Sequence, residues 1–233
     1  VVKPNVNVCP VCTGQPGSKP MLPNKSAIDK IIEIALVLGC KVSDRLVFQR
    51  KHYSWPDMPT GYQKTISGAH SDFVGTEGKF LGIRISEVHL EEDPGAWNPD
   101  EGKVDYNRAG SPLAEIVTEP DFIDSEEVGS WLKQLVLTLS YVKALNKDAG
   151  IKADVNVNIP GRTSRVEIKN VNSIEGIKNA IDFELERQIS EGQEKMETRR
   201  FDEASGKTMK MRGKEEAEDY RFISDPDLVS VNL

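Results

Sequence analysis

No apolar run in the 233 residues approaches the roughly 20 needed to cross a bilayer, and no cleavable export signal is visible. Cysteine is scarce. The three thiols make an odd number and two sit as Cys9-Pro-Val-Cys12, which points to metal binding in a reducing, cytoplasmic setting more than to a disulfide framework. A basic excess is missing too: the net charge is −7, whereas proteins that wrap duplex nucleic acid neutralise phosphates with a positive surface. An acidic balance suits a carboxylate-rich site for divalent metal and nucleotide better. There is no Walker-type glycine loop, no dinucleotide fingerprint and no Gly-x-Ser-x-Gly elbow for a serine nucleophile. Internal repeats and disorder-like composition are also lacking. With 38% hydrophobic and 29% charged residues, the chain can build one sizeable core. It opens on Val1 rather than Met, so the expectation is a true start further upstream.

Residues 1–23 are rich in Pro, Gly and Asn and read as an irregular lead-in around the Cys pair. A helix is expected after Asn24, where Ile28, Ile31, Ala35 and Leu38 recur at helical steps before Gly39. Residues 42–50 alternate like a strand, and 51–63, with Pro56, Pro59 and Gly61, form a shaped loop. Residues 79–92 read as one strand. Leu81, Ile83 and Ile85 share a face that Glu87, His89 and Glu91 continue into a polar site.

A second helix is expected from Asp124 to about Leu145, with Asp124 and Glu127 at capping-box spacing and Val128, Leu132, Leu135, Leu139 and Val142 buried. Ala153, Val155, Val157 and Ile159 alternate up to a Pro160-Gly161 turn, and Val166 and Ile168 return as the partner strand. A third helix opens near Asn172 with Glu175 as capping partner, and a second hairpin turns at Ser205-Gly206. Helices interrupting hairpin-paired strands favour an α+β fold with a mostly antiparallel sheet and packed helices.

Two groups of acids stand out. Glu91, Glu92 and Asp93 close a strand, and Asp154 and Glu167 share the polar face of a hairpin, within one or two rungs. Like charges so placed repel unless something positive lies between them, and Mg2+ with its oxygen ligands and phosphates would serve. A solvated acidic rim accounts for the same spacing. The bases Arg50, Lys51, Arg108, Arg165, Lys169, Arg199, Arg200, Lys207, Lys210, Arg212 and Arg221 are scattered through polar segments. Arginine grips phosphate with two parallel bonds, but for any single one of them ordinary surface charge is the better explanation. Cys9 and Cys12 make half a zinc knuckle, which needs two further ligands. Cys40 reads as a buried small hydrophobe, and His52, His70 and His89 have no metal-ligand spacing.

Longer stretches then resemble a known family, the B subunits of the aspartyl/glutamyl-tRNA amidotransferases. They are Cys9-Pro-Val-Cys12, Arg50-Lys51-His52-Tyr53 with Trp55-Pro56-Asp57-Met58-Pro59, and His89 to Gly95. Further along come Val104-Asp105-Tyr106-Asn107-Arg108, Glu115 to Asp121, Asp154-Val-Asn156, Glu167-Ile-Lys169-Asn170 and Glu197 to Glu203. Lys214 to Ala217, Asp219-Tyr220-Arg221 and Asp225-Pro226-Asp227-Leu228 complete the series. The matches run in order over nearly the whole chain.

The resemblance implies a glutamine-synthetase-like cradle over residues 24–233, preceded by a partial zinc-knuckle lead-in at 1–23. It implies that an N-terminal strand and C-terminal helical and tail domains of the family lie outside this sequence. It further implies a ligase that uses ATP and Mg2+ to phosphorylate the side-chain carboxylate of Asp or Glu on a misacylated tRNA. Ammonia from a partner A subunit, in a complex with a C subunit, then displaces phosphate. Carried over by motif, Glu91, Glu92, Asp154 and Glu167 are the expected Mg2+ ligands, and Cys9 and Cys12 half of a Zn2+ site. Lys51 is expected at the end of the ammonia path, Glu92 as the group that orients or deprotonates ammonium, and Arg108, Arg165 and Lys169 as nucleotide contacts. At position 60, where many members carry Lys, this chain has Thr60. Two alternatives stay open. One is the archaeal E-type subunit, which would carry an inserted domain. The other is a catalytically inert zinc-knuckle RNA-binding module, against which the net charge of −7 counts.

Overall fold

The computed structural model describes residues 2–145, 151–211 and 220–233; Arg212, the stretch 214–217 and Asp219 lie outside them, as does the side chain of Asn170. The chain order is α1 (Lys25–Val37), β1 (Lys41–Val42), β2 (Arg45–Leu46), β3 (Gln49–His52), β4 (Tyr62–Thr65), β5 (Gly75–Phe80), β6 (Ile83–Glu92), β7 (Ala96–Asn98), β8 (Lys103–Asp105) and β9 (Pro112–Thr118). It continues with α2 (Ser125–Tyr141), β10 (Ala153–Val157), β11 (Val166–Val171), α3 (Ile174–Glu191), β12 (Glu197–Asp202), β13 (Lys207–Lys210), β14 (Arg221–Ser224) and β15 (Val231–Asn232). The architecture is α+β with mostly antiparallel strands. These elements form two compact units, Val1–Glu119 with Asp219–Leu233, and Pro120–Glu218. The 1–23 lead-in lies in the first, and the 24–233 span contains parts of both.

In the first unit, Asn24 caps α1 by accepting from the backbone N–H groups of Ser26 and Ala27, as its short amide side chain allows. The helix buries Ile28, Ile31, Ile34 and Ala35 and packs on β1, β5 and β6. Gly39 turns the chain away with φ 68°, a conformation that costs glycine nothing. The main sheet runs β1-β5-β6-β4-β3-β14, with β9 also paired to β6, and every one of these pairings is antiparallel.

The expected strand at 79–92 is instead the tip and second arm of the β5–β6 hairpin. Leu81 and Gly82 form the turn with φ 48° and 90°, so Leu81 is 62% exposed and does not share a face with Ile83 and Ile85. Pairing between β6 and β9 then slips by one residue, with Ile85 opposite Thr118 and Glu87 opposite Val117. A bulge re-phases the alternation. Val88 is accordingly buried with Ile83 and Ile85, and Glu87, His89 and Glu91 do not continue that apolar face. Alternation at 42–50 likewise resolves into three short pieces, because β2 leaves the main sheet to pair with β15.

The β5 strand lies so close to the end of α1 that it needs glycine. A Cβ on Gly78 would overlap Cys40 Sγ and would meet the Leu38 carbonyl oxygen at 2.8 Å and Ile85 Cβ at 3.0 Å. Gly78→Ala is therefore expected to cost about 1–3 kcal/mol by overpacking. A thermal melt checks this, and an unchanged midpoint would show that the contact yields freely.

In the second unit α2 and α3 pack together, and α3 lies on a four-stranded sheet ordered β10-β11-β12-β13. One pairing, β11 with β12, is parallel, and α3 is the crossover between them. Val157, Val166, Ile168, Val171, Ile177, Ala180 and Ile181 form the core, flanked by Val128 and Leu132. Asp124 caps α2 through the Glu127 N–H at 2.7 Å, and Glu127 accepts in return from Ile123 N–H at 3.0 Å. The helix ends at Tyr141, short of the expected Leu145. The cap of α3 is Ser173, which accepts from Gly176 N–H, rather than Asn172 with Glu175. Glu175 instead faces Lys178.

Candidate functional site

The first cluster lies where β6 ends. Glu92 is held by its neighbour β4: Lys64 donates to Oε1 from Nζ at 2.9 Å and to Oε2 from its backbone N–H at 3.3 Å. Gln63 Nε2 donates to the Glu92 carbonyl at 2.7 Å. Both members of the Lys64–Glu92 pair are largely out of solvent. Tyr53 stands beside the same acids. Its hydroxyl is pushed far above the phenol range, first by burial and then by the charges of Asp57, Glu91 and Glu92. Its ring meets Tyr220 edge-on at 6.0 Å, and the Lys51 ammonium lies 4.5 Å over the Tyr220 ring. The structure thus brings expected residues Lys51, Glu91 and Glu92 into one neighbourhood. Tyr53, Lys64 and Tyr220 join them.

Three residues earlier on β6, His89 is 4% exposed and lies opposite Glu115 of the neighbouring strand β9. Its Nε2 is 3.4 Å from Glu115 and 3.9 Å from Glu91, and its Nδ1, without a hydrogen-bond partner, is 3.6 Å from Glu87. Burial disfavours the charged ring, but the carboxylates of Glu115 and Glu91 more than offset it, raising His89 to about 9. With its proton the imidazole is the cation of this group. Without it, His89, Glu91 and Glu115 offer three ligand atoms within 4.8 Å of one another, a donor set that suits a divalent ion. Linear spacing had given His89 no metal partner, because Glu115 arrives from a neighbouring strand.

The second cluster belongs to the second unit. Asn156 lies opposite Glu167, and a register irregularity falls between Ala153 and Val155, at Asp154. The positive group between the two acids is Lys169: its Nζ is 2.7 Å from Asp154 Oδ2 and 2.7 Å from Glu167 Oε1. Burial works against its charge, yet the two carboxylates hold its titration above the usual lysine range. Oxygen donors that converge on one point are what Mg2+ requires, so Asp154 and Glu167 fit that ion.

The remaining bases divide. Arg165 is exposed where the chain enters β11. Arg108 is ion-paired with Asp93, next to Glu92, and its buried Nε has no hydrogen-bond partner. Two arginines are occupied internally and are unsuited to a phosphate. Arg50 bonds Asp225 at 3.0 Å and Asp227 at 2.7 Å, holding the 225–227 segment beside β3, and Arg199 bonds Glu197 and Thr208. Cys9 and Cys12 sulfurs lie 3.0 Å apart. One Zn2+ with Zn–S bonds of about 2.3 Å holds a thiolate pair roughly 3.8 Å apart, so a small opening fits them to it. Among the described residues no third ligand joins them. The hydrogen bond from Cys12 draws Cys9 below the usual thiol range, and burial pushes Cys12 above it. Cys40 is buried, as expected.

The GatB/GatE catalytic-domain model matches residues 1–233. The chain belongs to the GatB/GatE catalytic-domain family. It is 50% identical over its full length to the B subunit of an aspartyl/glutamyl-tRNA(Asn/Gln) amidotransferase of Methanococcus maripaludis. It is 51% identical over 97% of its length to the proteins of that name from Methanopyrus kandleri and Methanocaldococcus jannaschii. It spans about half the length of these curated relatives, 50% of the first and 49% of the other two. Among the described residues, no helix is long and apolar enough to cross a membrane.

Proposed function

We propose that this chain is the kinase and amide-forming part of a B-type tRNA amidotransferase, built on a glutamine-synthetase-like cradle and working in the cytoplasm. The clustering of Lys51, Tyr53, Lys64, Glu91 and Glu92 at the end of β6 carries the reading, in a chain that matches the family model end to end. The B-subunit names of the three relatives given above favour that reading over the E type.

A carboxylate is a poor acyl donor because oxide is a poor leaving group. Transfer of the ATP γ-phosphoryl to an oxygen of the Asp or Glu side chain on tRNA releases ADP and makes phosphate the leaving group. Attack by ammonia then forms the C–N bond, and phosphate and a proton depart. Bound Mg2+ would neutralise charge during phosphoryl transfer. In the second unit Asp154 and Glu167 would hold it, and in the first unit Glu91, with His89 and Glu115 beside it, offers donors for a divalent ion. In the second unit Arg165 and Lys169 would be nucleotide contacts; in the first, Arg108 would serve as a phosphate contact, Lys51 lines the end of the ammonia path, and Glu92 orients ammonium and takes its proton. Cys9 and Cys12 would hold Zn2+ together with two further ligands. An A subunit supplies the ammonia, a C subunit completes the complex, and misacylated Asp-tRNA or Glu-tRNA is the substrate.

In that assembly, ATP hydrolysis is expected to require Mg2+ and to rise on addition of misacylated tRNA, measured as ADP release. Tight tRNA binding with no stimulated hydrolysis across a Mg2+ titration would reduce the chain to an RNA-binding module.

A further inference from the structure

We infer that Lys169 is a tethered counter-ion that holds Asp154 and Glu167 together and yields its place to a divalent cation when nucleotide binds. This rests on the proposed role of those two carboxylates in holding Mg2+, and it adds a task for Lys169 before the nucleotide arrives.

Glu167 and Lys169 are two apart on β11 and so share a face, and Asp154 reaches the same ammonium from β10. The two carboxylates carry two negative charges and Lys169 returns one, so the group keeps a net negative charge. A divalent cation would cancel it fully. Both oxygens already sit 2.7 Å from a single point. A cation with ligands at 2.0–2.1 Å would need each to move in by only roughly 0.6 Å.

The exchange is easy for a reason visible in the other ion pairs. Lys169, Asp154 and Glu167 side chains are 35%, 45% and 32% exposed, so water can replace each lost contact. In Lys64–Glu92 the side chains are 19% and 16% exposed, and Glu184 is fully buried, so those pairs cannot part without leaving a desolvated charge. Lysine suits the task by its chemistry as well. Its ammonium is a compact charge on a flexible four-carbon stem, able to swing from carboxylates to a phosphate oxygen, where arginine's planar fork would stay locked. Metal and nucleotide binding would then be coupled: the cation frees Lys169, and the triphosphate receives it.

The test uses the intact protein in its complex, with Mn2+ as the probe followed by its paramagnetic resonance signal. Lys169→Met is expected to tighten Mn2+ binding on the order of tenfold, in the ordinary range for coupling between sites. Added Asp154→Asn should remove that gain. Without metal, the Met variant should melt lower than the parent, and Mn2+ should restore it. Mn2+ should also strengthen binding of a non-hydrolysable ATP analogue less in the variant than in the parent. Lys169→Arg, which keeps the charge, should not tighten Mn2+ binding. Unchanged or weaker Mn2+ binding in Lys169→Met would overturn the inference while leaving the metal reading intact. If Asp154→Asn and Glu167→Gln both leave parental Mn2+ affinity unchanged, the metal reading itself fails and takes this inference with it.

Discussion

Glu92→Gln should lower tRNA amidation by on the order of 10²–10⁴, the usual worth of a positioned proton acceptor. Glutamine keeps the shape and can still accept from Lys64, whose backbone N–H and Nζ reach the two side-chain oxygens at 3.3 and 2.9 Å. It loses the charge and the basicity. Ammonium attacks nothing until a base removes its proton, so the variant should accumulate phosphorylated substrate that water, not ammonia, consumes. Amidation should therefore fall further than ADP release, and raising external ammonium at higher pH should recover part of it. A parallel fall in both rates would move Glu92 to holding Mg2+. Full amidation in Glu92→Gln would remove it from the mechanism altogether. The Lys64 ammonium, left without a counter-charge in a site where it is 19% exposed, is the variant's structural risk. Comparison with the Lys64→Met/Glu92→Gln double variant separates that cost from lost chemistry.

How far the sequence could be read depended on the range of the interaction that decided each feature. Local signals held. Asn24 and Asp124 cap their helices, the Ala153–Val157 and Val166–Val171 strands pair, and the turn at Ser205-Gly206 closes β12 onto β13. The failures came where a distant strand intervened. Leu81-Gly82 carries no Asn-Gly or Asp-Gly signature, so the β5–β6 turn looked like uninterrupted strand, and the slip against β9 cannot be seen in β6 alone. The candidate site divides in the same way. Family motifs pointed to Lys51, Glu91, Glu92, Asp154 and Glu167, but the groups that neutralise or surround them are cross-strand neighbours. Lys64 comes from β4 and Glu115 from β9, and Tyr220 sits just before β14, which pairs with the Lys51 strand more than 150 residues away in the chain by rough count. Periodicity gives each strand's faces. It does not give the strand order, and the pairing of charges follows from that order.

The same limit hid Glu184, the most buried charge among the described residues of the second unit, and its removal should be the costliest structural change there. Glu184 on α3 is 0% exposed. Arg187 Nη2 donates to its Oε1 at 2.6 Å, Gln188 Nε2 to Oε1 at 3.0 Å and Thr208 Oγ1 to Oε2 at 2.7 Å, with Arg199 Nε 3.5 Å away. Gln188 also donates to the Val157 carbonyl, and Arg199 to Thr208, so this carboxylate ties α3 to β10, β12 and β13. Glu184→Ala would leave two guanidinium groups short of a partner in a dry site, at a cost of about 3–5 kcal/mol. For a unit of roughly 100 residues that lowers the melting point by more than about 10 °C. The pH dependence has a definite sign. Burial alone would raise Glu184, but Arg187, Gln188 and Thr208 outweigh it and hold the carboxyl below the ordinary 4.5. Its stabilisation is therefore present in full above that value and disappears as pH falls through the lowered one. The parent should lose stability steeply below about pH 4.5, whereas Glu184→Ala, already without the charge, should give a flatter profile over the same range. A variant that melts with the parent at pH 7, or that tracks its acid transition, would mean that the ion network contributes nothing beyond what solvated side chains provide.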